Sequence, residues 1–208
     1  MAMTDKFALL GVPRLPWLET DLLKERFLAL SSAAHPDRVH GASESEKQAA
    51  NQRYAELNAA HQCVREPRDR LLHLLELELG SKPKDVQRIP PGTMDLFVEV
   101  GQTCREADAF LEEKAKATSP LLKVQFFQQG MEWTDRLNAL QHRVNAKRDE
   151  LEAELKAMNS QFASASTLSS PERRSALPLE RLEQIYRVFS YVSRWTEQIG
   201  ERLVQLSS

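Results

Sequence analysis

Apolar residues recur at intervals of three and four along most of this chain, which is the spacing of one face of an α-helix. One such stripe lies in the first half of the chain and consists of Leu23, Phe27, Leu30 and Ala34. No interval shows the alternation of apolar and polar positions, rich in Val, Ile and Thr, that is typical of a β-strand. The pattern therefore predicts an all-α protein.

The helices of the first half are bounded by residues that start or stop helices. Thr20 can cap a helix, and Ser43 and Glu46 have the spacing of a capping box. Proline stops a helix because the residue before it avoids the α region, and glycine readily ends one. The predicted helices are a short leading helix over 6–10, then Asp21 to the His35-Pro36 step, Ser43 or Ser45 to about Arg65, and Arg68 to Leu79.

The second half of the chain is expected to form a separate domain. Residues 81–92 contain three prolines and few apolar side chains, which predicts a linker between a domain at 1–80 and one at 93–208. Three long helical intervals follow, and their apolar stripes can be buried only against each other, so we predict a three-helix bundle. The Ser- and Ala-rich stretch from Ser160 to Pro178 is predicted to be a loop. In the middle interval apolar residues recur every seven positions, as in a bundle seam, at Leu137, Val144, Leu151 and Met158.

Composition excludes several classes of protein. The chain has 208 residues, 41% apolar and 28% charged, as in ordinary globular proteins. Its formal net charge of −2 gives no overall attraction to nucleic acid or to an anionic membrane, and no run of 18 apolar residues could span a bilayer. Cys63 and Cys104 are far apart in sequence, so we expect no metal site, no cysteine-ligated cluster and no cofactor. Two lone cysteines also favour a reducing compartment, and we expect a cytoplasmic protein.

The tripeptide His35-Pro36-Asp37 lies in the loop between two predicted helices. Pro36 fixes its own φ angle and restrains His35, while Asp37 can accept charge-assisted hydrogen bonds from an arginine of a partner. The loop contains no nucleophile with an adjacent base, so it is suited to docking rather than to catalysis. Taken alone, the tripeptide is also compatible with a simple polar turn.

The surroundings of this tripeptide resemble a J-domain, the module of DnaJ-type co-chaperones, from about residue 5 to residue 80. The matching parts are the leading helix that ends in Leu9-Leu10-Gly11-Val12, the amphipathic second helix, the loop, and Leu57-Asn58-Ala59-Ala60 in the third helix. The resemblance implies that the loop docks on the ATPase domain of a DnaK/HscA-type heat-shock chaperone and accelerates its ATP hydrolysis. The implied chaperone-binding residues are His35, Pro36, Asp37, Arg38, Lys24 and Arg26.

The rest of the chain is similar to the HscB subfamily of J-domain proteins. The segment from Arg70 to Gly80 resembles the end of the HscB J-domain, although Leu71 and His73 replace the family's Ala and Tyr. No Gly/Phe-rich tract and no zinc-finger region follows, and a helical bundle after a short linker is the HscB arrangement. The last helix resembles the closing helix of HscB in the stretch from Glu197 to Leu203.

The HscB resemblance also implies a client and a surface that binds it. In HscB the bundle holds the iron–sulfur scaffold protein IscU through an apolar patch with acidic neighbours and an aromatic residue of the last helix. Two of the acidic positions hold Gly101 and Cys104 here, which leaves a divergent client or a shifted contact surface open. The apolar members are equally compatible with bundle core. The implied client-binding residues are Leu96, Phe97, Val100, Asp108, Val188 and Phe189.

We therefore expect a monomeric co-chaperone that brings an IscU-like scaffold to its chaperone for cluster assembly or transfer. The alternative is a J-domain co-chaperone whose bundle binds a different protein client. An enzyme is disfavoured because the sequence has no Gly-rich phosphate loop, no metal-ligand cluster and no Ser/His/Asp arrangement with motif spacing. A helical protein that has lost J activity would be indicated by a chaperone that does not respond to it.

Overall fold

The computed structural model describes residues 3–39, 41–83, 89–90 and 92–207. These residues form α-helices and two short 3₁₀ helices and contain no β-strand, so the predicted all-α fold is confirmed. The 3₁₀ helices cover Pro36–Val39 and Ala165–Thr167. The α-helices are α1 (Lys6–Leu10), α2 (Thr20–Ala33), α3 (Glu44–Arg65), α4 (Pro67–Leu79), α5 (Met94–Ala115), α6 (Pro120–Ser164), α7 (Ser170–Ala176) and α8 (Leu179–Leu206).

The chain forms two compact units whose segments alternate along the sequence. The first unit comprises Met1–Asp85 and Glu152–Tyr186, and the second comprises Val86–Leu151 and Arg187–Ser208. The division into 1–80 and 93–208 does not anticipate this alternation, because a boundary drawn from composition follows the order of the chain. Residues 84–88 and 91 of the predicted linker 81–92 lie outside the described residues.

In the first unit, capping groups define the N-terminal helices much as the sequence predicts. Asp5 caps α1, and Gly11 ends it at a φ of 64°, a left-handed conformation that glycine adopts without strain. The capping box of α3 is confirmed, since the Ser43 hydroxyl accepts from the Glu46 N–H and the Glu46 carboxylate accepts from the Ser43 N–H. The predicted cap of α2 is one residue late, because Thr20 already lies in the helix.

The leading helix α1 is fixed to α4 by a buried histidine. The Lys6 N–H donates to Nε2 of His73 at 3.0 Å, and the Phe7 ring stacks on the imidazole with 5.7 Å between centroids. His73 is 3% exposed, and burial lowers its pKa below the ordinary value of 6.5. The neutral imidazole is therefore the form that holds α1.

Residues 152–186 complete the first unit by packing on its N-terminal part. The Asn159 side chain accepts from the Trp17 N–H at 3.1 Å and donates to the Trp17 carbonyl at 2.9 Å. The Lys156 ammonium lies 3.9 Å from the centroid of the Trp17 indole, a cation–π contact. Three interactions from one helix thus hold the segment that leads into α2.

The predicted loop between Ser160 and Pro178 is wrong over most of its length. Helix α6 continues to Ser164, and α7 follows after the 3₁₀ turn. Ser169 and Glu172 form a capping box, and Pro171 stands in the first turn of α7, where its missing N–H removes no intrahelical hydrogen bond. The proline that suggested a loop therefore marks the start of a helix.

A buried ion pair joins α7 to α4. Arg173 donates through Nε to both carboxylate oxygens of Glu78, at 2.9 and 2.8 Å, and through Nη1 to the Ala165 carbonyl at 2.9 Å. The side chains of Arg173 and Glu78 are only 9% and 4% exposed. The pair explains why a helix of only seven residues persists at this position.

The second unit packs α5 against parts of α6 and α8. Leu137 and Val144, members of the predicted seven-residue stripe, are 0% exposed, and Leu151 is 1% exposed. The stripe is therefore core, as the spacing predicts. Ion pairs between the helices surround it: Arg136–Glu106, Arg143–Glu99 and Arg202–Asp108. In the part of the chain that the structure describes, no helix combines the length and apolarity needed to cross a bilayer.

Candidate functional site

The loop with His35-Pro36-Asp37 is held between two helices that pack on each other. Helix α2 ends at Ala33, and the chain then turns through the 3₁₀ helix Pro36–Val39 before α3 begins. Phe27 of α2 stacks on His61 of α3, with 4.1 Å between ring centroids and 13° between planes. The helix pair thus presents the loop from a packed base rather than on a free chain.

Short contacts within the loop define the positions of its polar groups. The Asp37 N–H donates to Nδ1 of His35 at 3.3 Å. This imidazole nitrogen also lies 3.5 Å from Oδ2 of the Asp37 carboxylate. The Arg38 N–H donates to the His35 carbonyl at 3.0 Å, which closes the turn. The His35 side chain is 44% exposed and that of Asp37 is 90% exposed. The carboxylate is therefore presented to solvent on a turn whose backbone is fixed.

Two groups outside the tripeptide support this arrangement. The Tyr54 ring of α3 meets the His35 imidazole edge to face, with 5.3 Å between centroids and 76° between planes. Arg38 extends back toward α2, where its Nη1 donates to the Ser32 carbonyl at 3.4 Å. Sequence reasoning did not single out Tyr54, because an aromatic residue within a helix has no local mark that distinguishes support of a loop from core packing.

Lys24 and Arg26 are exposed on α2 but do not form one positive surface. Side chains two residues apart are separated by about 200° around the helix axis, so they lie on nearly opposite faces. Lys24 shares its face with Leu28, four residues later, which is 53% exposed. Asp21 and Glu25 balance the two positive charges, so the surface of α2 mixes apolar and oppositely charged groups.

The predicted client-binding residues divide into exposed and buried members in the second unit. Phe97 is 38% exposed and Leu96 is half-buried, whereas Val100, Val188 and Phe189 are 1%, 5% and 2% exposed. The three buried residues cannot touch a partner directly, because their side chains fill the core between helices. They can support the exposed residues above them.

The acidic member of this set is already engaged within the unit. Arg202 donates to Oδ2 of Asp108 at 2.6 Å and to the Cys104 carbonyl at 3.2 Å. The Asp108 side chain remains 46% exposed. The carboxylate therefore presents a partly neutralised charge at this surface.

An aromatic cluster of Phe97, Tyr191 and Trp195 lies at the same surface. The Phe97 ring meets the Tyr191 ring at 5.9 Å and 87°, and Trp195 lies 5.8 Å from Tyr191. Tyr191 is half-buried, and Trp195 is 3% exposed. The spacing of four between the two residues of α8 could have indicated a shared face. Among the residues of α8, the half-buried Tyr191 presents its ring beside Phe97, and sequence reasoning did not single it out.

Neither cysteine thiol is activated by its surroundings. Burial raises the pKa of the Cys63 and Cys104 thiols, so both stay protonated at neutral pH. Within the described residues, no three side chains of His, Cys, Asp or Glu are grouped so that they could hold a metal ion.

Comparison with known proteins gives partial sequence matches to one group of co-chaperones. A co-chaperone protein HscB homologue of Shewanella halifaxensis is 43% identical over 61 residues, which make up 29% of this chain and 35% of that protein. A homologue of Mannheimia succiniciproducens is 36% identical over 80 residues, 38% of this chain and 46% of that protein. The matches thus span less than half of these curated relatives. No protein-family model matches the chain.

Solved structures share the fold over nearly the whole chain. HscB from Vibrio cholerae has a TM-score of 0.53 and 23% identity, covering 94% of this chain and 99% of that one. The human co-chaperone HscB has a TM-score of 0.54 and 20% identity, covering 96% of this chain and 85% of that one. The chain is therefore similar to HscB co-chaperones in sequence over part of its length and in fold over nearly all of it, in agreement with the resemblance seen in the sequence.

Proposed function

We propose that the chain is a co-chaperone in iron–sulfur cluster assembly that stimulates the ATPase of a DnaK/HscA-type heat-shock chaperone. The observation that carries this proposal is the geometry of the loop, in which the Asp37 carboxylate is 90% exposed beside His35 on a backbone turn held by α2 and α3. An exposed carboxylate on a fixed turn loses little conformational entropy when it pairs with a partner's arginine. The chain acts by docking on another protein and not as an enzyme. It works as a cytoplasmic monomer that binds neither nucleic acid nor membrane.

The surface of α2 contributes a second part of the chaperone contact. Lys24 and Arg38 pair with acidic groups of the chaperone, and the exposed Leu28, on the same face of α2 as Lys24, adds apolar area. Arg26 points to the opposite side of α2 and contributes only through its charge. The charges of Asp21 and Glu25 lie on the same helix, so attraction over long distances is weak. Affinity then depends on close contact, and we expect it to fall only modestly when the salt concentration rises.

The client surface lies on the second unit and is formed by Leu96, Phe97 and Tyr191. Phe97 and Tyr191 offer aromatic rings in contact with each other, which is typical of the residues that dominate binding energy at interfaces. Val100, Val188 and Phe189 are buried and belong to the core of the same unit rather than to the contact itself. An IscU-like scaffold docked there would be delivered to the chaperone for cluster assembly or transfer.

A second candidate function is a co-chaperone of the same chaperone class with a different protein client. The pairing of Asp108 with Arg202 favours it, because the acidic character of the surface is reduced. The buried Cys104 also occupies a position that is acidic in HscB. A client with a less basic surface than IscU would fit this chain.

Single-turnover ATP hydrolysis by the purified chaperone tests the chaperone contact. We expect the chain to accelerate hydrolysis and Asp37→Asn or His35→Gln to abolish the acceleration, with helicity and melting temperature nearly unchanged. The matched control is Asp135→Asn, which removes an exposed carboxylate of α6 and should keep full stimulation. No stimulation by the unaltered chain, or loss of fold in the loop variants, would refute the proposal.

Adding the iron–sulfur scaffold to the same assay separates the two clients. Synergistic acceleration that Phe97→Ala removes and the control Leu168→Ala retains supports an IscU-like client. Leu168 is a suitable control because it is 40% exposed and lies in the first unit. Acceleration that is indifferent to the scaffold supports the second candidate instead.

A further inference from the structure

An apolar groove lies at the end of the second unit, away in sequence from the residues discussed so far. Its volume is about 580 Å³. Grooves of roughly 300–1,000 Å³ lined mainly by apolar side chains are typical of binding sites. Its lining comes from the end of α5, the first turns of α6 and the end of α8, and consists of Lys114, Ala117, Lys123, Phe126, Phe127, Gly130, Met131, Thr134, Leu206 and Ser207.

The α6 side of the groove is an unusually apolar surface for an exposed helix. Its lining positions follow the helical spacing of three and four from Lys123 to Thr134, a length of about 16 Å. Phe127 and Met131 are 68% and 58% exposed, and Val124, next to Lys123, is 60% exposed. Clustered apolar exposure of this kind marks interaction sites. The exposed apolar surface extends beyond the lining of the groove, because Val124 is not part of that lining.

The charged groups that line the groove are all positive. Lys114 and Lys123 line it, and none of the described lining residues has a carboxylate. The Lys114 ammonium donates to the Leu206 carbonyl at 3.1 Å, which places it at the C-terminal end of α8. Two lysines flanking an apolar floor complement a partner that is apolar on one face and acidic beside it.

The backbone of the groove determines the conformation that such a partner can adopt. All three walls are helical, so they offer no free strand edge to which an extended peptide could hydrogen-bond. A helical partner satisfies its own backbone and presents side chains at the same spacing of three and four as α6. We propose that this groove binds an amphipathic helix of another protein whose apolar face is flanked by Asp or Glu.

Synthetic helices provide the probe for this groove. Three 18-residue peptides with the same leucine stripe and with Glu, Gln or Lys flanks are titrated into the full-length chain by fluorescence anisotropy. We expect the Glu peptide to bind about tenfold more tightly than the Lys peptide at low salt, because each exposed lysine contributes a modest amount. Lys123→Glu leaves one lysine and one glutamate at the groove, so it should remove most of this preference.

The methionine methyl groups report where the peptide binds. In a sample labelled at methionine methyls, the Glu peptide should shift the Met131 signal and leave the buried Met158 signal in place. A peptide-induced change at Met94 instead of Met131 would overturn the proposed location. Equal binding of all three peptides, or no binding at millimolar concentration, would also overturn it.

A matched pair of glycine variants separates binding from folding. A side chain added at Gly130 meets no atom within 4 Å and would extend into the groove, which Gly130 lines. A side chain added at Gly200 of α8 also meets no atom within 4 Å, but Gly200 is not part of the groove lining. Gly130→Leu should abolish peptide binding while Gly200→Leu retains it, with helicity unchanged in both. Self-association of the unaltered chain that Gly130→Leu abolishes would refute the heterologous partner and assign the groove to a second copy. Displacement of the peptide by an unbranched fatty acid at equal affinity would assign it to an anionic amphiphile.

Discussion

Replacing either member of the Glu78–Arg173 pair should destabilise the first unit by about 3–5 kcal/mol. Both side chains are almost fully buried, and Nε of Arg173 lies within hydrogen-bond distance of both carboxylate oxygens. Glu78→Leu would leave the guanidinium in the interior with only the Ala165 carbonyl as acceptor. Arg173→Met would leave the carboxylate buried without its partner. Each single change thus strands a charge, which costs more than the contact itself contributes.

The double variant should be far less damaging than the two single changes together. With both charges removed, the remaining polar defect is the Ala165 carbonyl, which loses the hydrogen bond from Nη1 of Arg173. An unpaired buried carbonyl costs about 1–3 kcal/mol. Against a sum of about 6–10 kcal/mol for the singles, the double variant should therefore lose about 1–3 kcal/mol. The difference is the coupling energy of the pair.

The measurement is urea denaturation followed by circular dichroism at 222 nm for the four members of the cycle. Arg181→Met is the control, because Arg181 also donates two hydrogen bonds to one carboxylate but is 47% exposed. Its Nε and Nη2 donate to the two oxygens of Glu154 at 2.7 and 2.8 Å. An exposed pair contributes about 0–1 kcal/mol. If Arg173→Met lowers the free energy of unfolding by no more than Arg181→Met does, burial does not make the Glu78–Arg173 pair more important for stability than an exposed pair. If the single effects simply add, the two side chains do not interact.

Three further predictions concern other contacts. Because burial lowers the pKa of His73, the unfolded chain binds more protons as the pH falls below 6.5. The free energy of unfolding should therefore decrease from pH 7 to pH 5, and His73→Gln, which keeps an acceptor for Lys6, should flatten that decrease in urea titrations at each pH. Asn159→Ala should cost about 1–3 kcal/mol, because it strands two backbone groups of Trp17, and the reasoning fails if the urea midpoint is unchanged. Gly200→Ala should stabilise the chain by up to about 1 kcal/mol, since open space surrounds the added methyl, and a lower melting temperature would contradict this.

Local signals in the sequence predicted the helix ends that depend on neighbouring residues. The capping box at Ser43 and Glu46 and the glycine after α4 act within a few residues, so their spacing is enough. Helix α7 was missed because its stability depends on Glu78, 95 residues earlier in the chain. No local pattern records a partner at that distance, and the Ser- and Ala-rich composition with its two prolines suggested a loop.

The candidate site was predictable where its residues are consecutive and much less so where they come from different helices. His35-Pro36-Asp37 can be found by inspection because three adjacent residues form the turn. Val188 and Phe189 illustrate the opposite case, since an apolar residue of a bundle helix has the same pattern in the core as on a binding surface. Only the packing shows that both are buried and that Tyr191 lies beside Phe97.

The alternating order of the two units has a consequence for synthesis on the ribosome. The first unit needs residues up to Tyr186, so its N-terminal helices emerge long before the segment that covers them. Arg173 is added 95 residues after Glu78, which takes about 5–20 s at ordinary elongation rates of about 5–20 residues per second. During that interval the carboxylate that later becomes buried faces water, and the nascent J-like region exists without its final support. Cotranslational folding of the first unit should therefore finish only after Tyr186 has been added.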